Sequence, residues 1–266
     1  MKFLLFISFI FLYLKKTQAQ VSDGFQNPKE LIKLNRVHEK RVYFFKNEFD
    51  NQLTGIDTYD TLGNYLSSKM VSMNGTVSST DTFIYDSNHH LIKKIHYDAN
   101  NLRDEYNFTN NPDGKIIKSE TLLRDSTTFH SVTSYEENNR LAKTVHYSNK
   151  YDPMTISSLY NEKGQLIKST LFDKQNGTTV ITCKYNSSGK IVSRNNITTD
   201  SKRFSEFKYD SNGNVYEVIT TINSKHKKKE INKRRYSYYP NGLIYENFLF
   251  INNRQILSDK AYYTYY

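Results

Sequence analysis

The strongest pattern along the chain is a Tyr followed four residues later by Gly and six later by an apolar residue. It recurs at Tyr59, Gly63 and Tyr65; at Tyr160, Gly164 and Leu166; at Tyr185, Gly189 and Ile191; at Tyr209, Gly213 and Val215; and at Tyr238, Gly242 and Ile244. Weaker copies start at Tyr85, with His89 in the Gly place, and at Tyr135, with Asn139 there. A further copy ends on Gly114 and Ile116, with Asn110 where Tyr is expected. The starts at 59, 85, 110, 135, 160, 185, 209 and 238 lie 24 to 29 residues apart, and self-similarity at such a period marks a repeat architecture. In each copy the Tyr closes a strand, an Asn/Asp/Ser-rich stretch turns the chain, and the Gly supplies the positive φ the turn needs. A second strand follows, and a polar tip such as 173–177 reverses the chain again. Twenty-five residues thus predict one β-hairpin and its connection.

Two apolar columns predict how the hairpins associate. Six residues after each start stand Tyr65, Leu91, Ile116, Leu141, Leu166, Ile191, Val215 and Ile244; twelve after stand Tyr97, Leu122, Tyr147, Phe172 and Ile197. Both columns are expected to form ladders buried between neighbouring hairpins. At about 4.8 Å per strand, eight repeats make a twisted sheet roughly 75 Å long. The expected fold is all-β, an elongated antiparallel sheet of about eight stacked β-hairpin repeats with a period of about 25 and a short N-terminal capping helix. Asn27-Pro28-Lys29-Glu30 signals the start of that helix. Val42–Phe45 reads as a strand, and helix and strand together cover one sheet edge. At the far end, Tyr262–Tyr266 falls in phase with a closing strand that is either a capped edge or a docking edge.

The N-terminus has the form of an export signal. Lys2 precedes the apolar run Phe3–Leu14, and Thr17-Gln18-Ala19 offers a small-residue cleavage site. A bilayer-spanning helix needs about 20 apolar residues, more than this run supplies. Lys15 and Lys16 leave an uncleaved interfacial anchor as the alternative. The expected organisation is a signal peptide at 1–19, a cap segment of short helix plus strand at 20–54, and the repeat domain at 55–266. The mature chain then has no transmembrane span and resides in the periplasm, on the cell surface or outside the cell.

Composition narrows the function classes. Aromatics reach 14% against 37% hydrophobic residues, with 22 Tyr and no Trp, which excludes a polytopic membrane protein and argues against a disordered chain. A single Cys excludes an internal disulfide framework and a multi-cysteine zinc site. Five Asn-x-Ser/Thr sequons, beginning at Asn74, Asn107, Asn176, Asn186 and Asn196, matter only where the host glycosylates them. No phosphate-binding loop, HExxH or GxSxG pattern occurs. Cys183 shares a column with Phe, Tyr, Thr and Ser and reads as a buried structural thiol. His89-His90 reads as an exposed turn, and His96 and His146 stand two repeats apart, too far to share a metal. No catalytic site, metal or cofactor is expected. A hydrolase using scattered carboxylates is the enzymatic alternative.

Charge offers two more features. Lys93, Lys118, Lys143 and Lys168 occupy one column, where like charges repel unless they are screened or meet an anionic ligand. Loss of residues 1–19 removes three Lys and no acid, taking the formal charge from +10 to +7. Nearly all of that excess sits in one lengthened repeat, at Lys225, Lys227, Lys228, Lys229, Lys233, Arg234 and Arg235. As a hairpin tip this set is the candidate site for envelope polysaccharide or anionic lipid, with affinity that falls as salt rises. Nucleic acid is the least attractive partner for an exported chain.

A Tyr-Asp turn followed by Gly and an apolar residue, kept with both letters at Tyr59-Asp60, Tyr85-Asp86 and Tyr209-Asp210, resembles the YD-repeat (Rhs-type) family of extracytoplasmic β-hairpin repeat proteins. The resemblance covers about residues 55–266 and rests on Tyr59, Gly63, Tyr85, Gly114, Tyr135, Tyr160, Gly164, Tyr185, Gly189, Tyr209, Gly213, Tyr238 and Gly242. Asn, Lys or Gln follows the Gly where that family commonly has Arg, and other hairpin repeats such as the MORN type are also compatible. The resemblance implies a β-repeat fold that binds carbohydrate or cell-surface polymer without catalysis. The expected function is therefore a non-enzymatic binding or scaffold module at the cell envelope. The alternative is a protein-partner or assembly module that uses the sheet edge at 261–266.

Overall fold

The structure is a computed structural model, and it describes residues 29–45, 51–123, 125–136, 141–175 and 177–266. The leader, Asn27-Pro28 and Asn139 lie outside the described residues. A short helix, α1 (Lys29–Leu34), precedes eighteen strands. The first nine are β1 (Val37–Phe45), β2 (Asn51–Tyr59), β3 (Tyr65–Val71), β4 (Val77–Tyr85), β5 (Leu91–Asp98), β6 (Arg103–Asn110), β7 (Ile116–Leu122), β8 (Thr128–Glu136) and β9 (Leu141–Ser148). The rest are β10 (Met154–Tyr160), β11 (Leu166–Asp173), β12 (Gly177–Tyr185), β13 (Ile191–Ile197), β14 (Ser201–Tyr209), β15 (Val215–Ser224), β16 (Lys227–Tyr238), β17 (Ile244–Ile251) and β18 (Arg254–Tyr265). The expected boundary at residue 54 falls inside β2.

The hairpins form where the repeat places them, but the sheet they build is not open. Each strand pairs antiparallel with the next, and β1 pairs with both β2 and β18. Val42 lies opposite Gly55 on one side and Ala261 on the other. The sheet is therefore a closed barrel of eighteen strands, which corrects the expected elongated stack of open hairpins. A hairpin repeat prescribes pairings between sequence neighbours only. Twist and coiling accumulate over many strands and bring the two free edges together, where each satisfies the unpaired row of the other. The C-terminal strand accordingly offers no docking edge, since β18 is paired on both sides. Barrels of this strand number enclose a space that side chains do not fill.

The Tyr–Gly turns all lie at one rim and the alternate hairpin connections at the other. Gly63, Gly114, Gly164, Gly189, Gly213 and Gly242 all have φ between 71° and 83°, and His89 takes the same region at 62°. An Asp or Asn opens these turns, except for Tyr239 at the Gly242 turn, and holds them: Asp60 Oδ1 accepts from the backbone amides of Leu62 and Asn64, and Asn186 Oδ1 from that of Lys190. The Tyr closing each strand reaches back one hairpin. Tyr185 donates its hydroxyl to the Leu166 carbonyl at 2.9 Å, Tyr209 to Ile191 at 2.7 Å, Tyr238 to Val215 at 2.6 Å and Tyr263 to Ile244 at 2.8 Å. Asn110, standing in the Tyr place, makes the equivalent bond to Leu91 O through Nδ2 at 3.0 Å. Tyr266 donates to the Tyr59 carbonyl and carries the series across the β18–β1 seam. Burial pushes the Tyr185 hydroxyl up to about 12, so these donors stay protonated.

Side chains alternate between two walls. One set is systematically buried, for example Met154, Ile156, Ser158 and Tyr160 along β10. Side chains converge on the concave side of a barrel and splay on its convex side, so this set marks the inner wall. The sixth-position column lies there, with Leu91, Ile116, Leu166, Ile191 and Ile244 all buried. Leu141 is the exception: Tyr135 pairs with Ala142, which is buried in its stead. The twelfth-position column was expected to be buried and is not. Leu122, Tyr147, Phe172 and Ile197 are exposed on the outer wall, because an even spacing from an inner residue changes face once a bulge intervenes, as between Leu159 and Tyr160.

Helix α1 takes the position at the turn rim where a hairpin turn between β18 and β1 would sit. Its Ile32 is buried with Val37, Tyr59 and Leu243. A Cβ at Gly63 would meet the Lys29 carbonyl oxygen at 2.6 Å. Gly63→Ala is therefore expected to cost about 1–3 kcal/mol and to loosen α1 more than the barrel. Gly164 has φ 71° and open space around it, so Gly164→Ala isolates the backbone term. Denaturant melts with hydrogen exchange at Ile32 check this, and equal losses in the two variants would remove the helix contact from the account.

Candidate functional site

On the inner wall the register of six successive strands lines up one row of polar residues. Lys40 on β1 lies opposite Asp57, Asp57 opposite Ser68, Ser68 opposite Asp81, Asp81 opposite His96, and His96 opposite Asp104. Lys40 Nζ is 3.4 Å from Asp57 Oδ2, and the Ser68 hydroxyl donates to Asp57 Oδ1 at 2.7 Å. Asp81 meets His96 Nδ1 and Lys94 Nζ, both at 2.8 Å. Burial pushes the Asp81 carboxyl up, but the His96 hydrogen bond and the Lys94 charge outweigh it and hold it below its usual value. For Lys40 burial outweighs the pull of Asp57 and lowers the ammonium pKa. Acids and bases in this row answer one another, which fits a wall-stabilising role. Among the described residues no three His, Cys, Asp or Glu side chains gather closely enough to hold a metal ion.

The outer wall carries the excess cations. Lys93, Lys118, Lys143 and Lys168 are joined at the same level by Lys184 and Lys208, which pair across from Ser193 and Glu217. Lys93 is screened by Glu105 and Lys118 by Glu120, each at 2.8 Å. A lipid-facing wall needs an apolar band about 25 Å tall, and each Lys or Arg at its midplane costs about 2–4 kcal/mol. These Lys stand one or two residues inside the strand ends at the Tyr–Gly rim, and the same wall exposes Leu122, Tyr147, Phe172 and Ile197, while Asp57, Asp81 and Lys94 make the inner wall polar. No described helix is long and apolar enough to cross a membrane, which says nothing of a β-barrel.

The outer wall also holds a groove of about 350 Å³ lined by Tyr216, Arg235, Phe248, Phe250 and Gln255, with Tyr236 and Ser237 at its floor. Beside it Glu217, only 6% exposed, gathers three cations: Lys208 at 2.8 Å, Arg235 at 2.9 Å and Lys233 at 4.0 Å. The Lys208 hydrogen bond, with Arg235 behind it, holds the Glu217 carboxyl below its usual value despite burial. The Phe248 and Phe250 rings lie 6.4 Å apart, and the Arg235 guanidinium sits 5.7 Å over Phe250.

The structure divides the seven basic residues singled out from sequence. Lys225 lies in the β15–β16 turn, 3.5 Å from Asp200, and Lys227, Lys228 and Lys229 are exposed on the first residues of β16. Lys233 and Arg235 belong to the outer groove. Arg234 points to the inner wall, where its charge favours ionised Asp259. A strand side chain changes wall at every residue, so a run of charges that reads as one cluster becomes three sites. The aromatic partners of the groove were not singled out from sequence; an alternating Phe248-x-Phe250 beside Arg235 was the available signal. Cys183 is buried with Ile181, Leu166 and Ile191, and burial pushes its thiol up. His90 packs against the turn, 3.4 Å from Asp86.

No family model and no curated protein matches this sequence. Among solved structures, a porin-like protein from Bacteroides uniformis ATCC 8492 is 11% identical, with a TM-score of 0.46 over 86% of this chain and 97% of that one. A porin-like protein from Bacteroides vulgatus ATCC 8482 is 10% identical, with a TM-score of 0.42 over 86% and 99%. A chain of the TcdB2-TccC3-Cdc42 structure is 10% identical, with a TM-score of 0.31 over 80% of this chain and 13% of that one. The resemblance to the YD-repeat (Rhs-type) family is corrected: no family model supports it, and the hairpins close into a ring instead of an open stack. The Tyr, Asp and Gly that suggested it are what any tight antiparallel hairpin with a positive-φ residue demands, so they identify a turn rather than a lineage.

Proposed function

We propose that this protein is an exported, envelope-associated, non-catalytic barrel that binds anionic surface polymer, acidic carbohydrate foremost, through its outer wall. The observation that carries the reading is the belt of Lys93, Lys118, Lys143, Lys168, Lys184 and Lys208 at one level near the Tyr–Gly rim of the outer wall, only partly screened by Glu105, Glu120 and Glu217. Like charges arranged this way repel one another, and a polyanion running around the belt relieves that repulsion. The leader-like segment at 1–19 supports the location.

The test is binding of the purified protein to polygalacturonate and to phosphatidylglycerol vesicles at about 50 and 300 mM salt, where surface charge is screened to different degrees. Binding is expected to weaken at least tenfold at the higher salt. A variant with Lys93, Lys118, Lys143 and Lys168 changed to Gln is expected to lose most of it. A variant with Lys227, Lys228 and Lys229 neutralised reports separately on the loop-rim cluster. No binding at low salt, or binding that ignores both salt and the belt, would sink the proposal.

A further inference from the structure

The groove between β15 and β17 combines features that the Lys belt lacks, and we infer that it is a subsite for one uronic-acid residue of an acidic oligosaccharide, an inference that rests on the reading above. A pyranose presents an apolar face of C–H groups and, when acidic, a carboxylate at its edge. The groove offers a matching pair. Phe248 and Phe250 stand on one strand and one wall, 6.4 Å apart, with Tyr216 exposed at 41% on the far side. Aromatic faces of this kind stack on sugar C–H surfaces and gain area at low entropy cost.

The charge is arranged for one carboxylate. Glu217 holds Lys208, Lys233 and Arg235 within 4.0 Å, so one buried acid fixes three cations and leaves the cluster positive by two. The bond from Arg235 to Glu217 is made through Nε, and the Arg235 side chain is 54% exposed. A guanidinium anchored at Nε, stacked on Phe250 and open to solvent is pre-organised for a second carboxylate. At about 350 Å³ the groove, open to solvent on one side, has room for a single sugar ring. An uncharged sugar forgoes the cations, and an inorganic anion forgoes the rings.

Galacturonate trimer is the probe, with galactose trimer and inorganic sulfate as comparators. Wild-type protein is expected to bind the charged trimer at least tenfold more tightly than the neutral one or sulfate. Phe250→Ala and Arg235→Gln are each expected to weaken trimer binding about tenfold, while polygalacturonate still binds in a salt-sensitive way through the Lys belt. Thermal melts establish that both variants fold. Gln255→Trp, in a chain with no other Trp, places a fluorescent reporter at the groove that the trimer is expected to perturb without any groove residue being truncated. Polymer binding with a trimer that neither perturbs the reporter nor responds to the two variants overturns the subsite and leaves the belt standing. A trimer bound at the reporter without polymer binding does the reverse. Vesicle binding that Phe250→Ala and Arg235→Gln abolish, with no trimer binding, assigns the groove to phospholipid headgroups and also overturns it.

Discussion

Asp57→Ala is expected to destabilise the barrel by about 3–5 kcal/mol, the range seen when one member of a buried ion pair is removed and its partner stays behind. Lys40 is 2% exposed, and its ammonium lies 3.4 Å from Asp57. Asp57 also accepts from the Ser68 hydroxyl, so the substitution breaks the inner-wall row on both sides. The Asp259 charge still acts on Lys40 and keeps the loss toward the lower end. Because β1 joins β2 to β18, weakening this pair strikes the strand that closes the ring. Replacing both partners, with Lys40→Met added to Asp57→Ala, is expected to recover much of the loss, since an apolar pair carries no buried charge. Denaturant midpoints at constant m-value decide it. A single variant within about 1 kcal/mol of wild type, or a double variant no better than the single, would show that the ion pair is not what holds the seam.

What the sequence discloses here is local. The hairpins, their spacing and the positive-φ position at Gly63, Gly164 and Gly213 follow from turn chemistry confined to five or six residues. So does the rung from Asn110, which stands in for Tyr by offering a donor of similar reach. Closure is different in kind. It is one long-range event between β1 and β18, and the side chains at the seam, Val42, Gly55 and Ala261, carry no mark that distinguishes a sealed edge from a covered one. The seam bond from Tyr266 to Tyr59 becomes visible only once the ring is known.

The candidate site was less legible for a related reason. Along a strand the chain alternates walls, so Lys233, Arg234 and Arg235 look like one basic run and serve opposite surfaces. Bulges add a second difficulty. Counting from the repeat start places Leu122, Tyr147 and Phe172 with the core, whereas a skipped residue near each turn sets them on the outer wall. Glu217, which organises the groove, appears in the sequence only as the residue that interrupts the Lys column. Its role emerges when the register sets it between Lys208 and Arg235.

Acidification from pH 7 to pH 4 is expected to cost the barrel about 3 kcal/mol through His146 alone. Burial lowers this imidazole from 6.5 to about 4, and a gap of that size corresponds to about 3 kcal/mol between the two protonation states. The folded pKa lies below the unfolded one, so between them the unfolded chain binds more protons and stability rises with pH. The contribution is complete above about pH 6.5 and is lost progressively as pH falls through about 4. Other groups act elsewhere or oppositely. Asp81, held below its usual value, gives up its contribution only under that window. Asp259, which burial pushes up, is relieved by protonation and offsets part of the loss. His146 lies opposite Ser131 and Met154 on the inner wall and lines a cavity of about 20 Å³ with Asp152 and Asp173, room for about one water. His146→Gln keeps a polar side chain of similar length without the titration. Its stability is expected to change little between pH 6.5 and 4 while wild type declines, and parallel pH profiles for the two proteins would assign the acid sensitivity to the carboxylates instead.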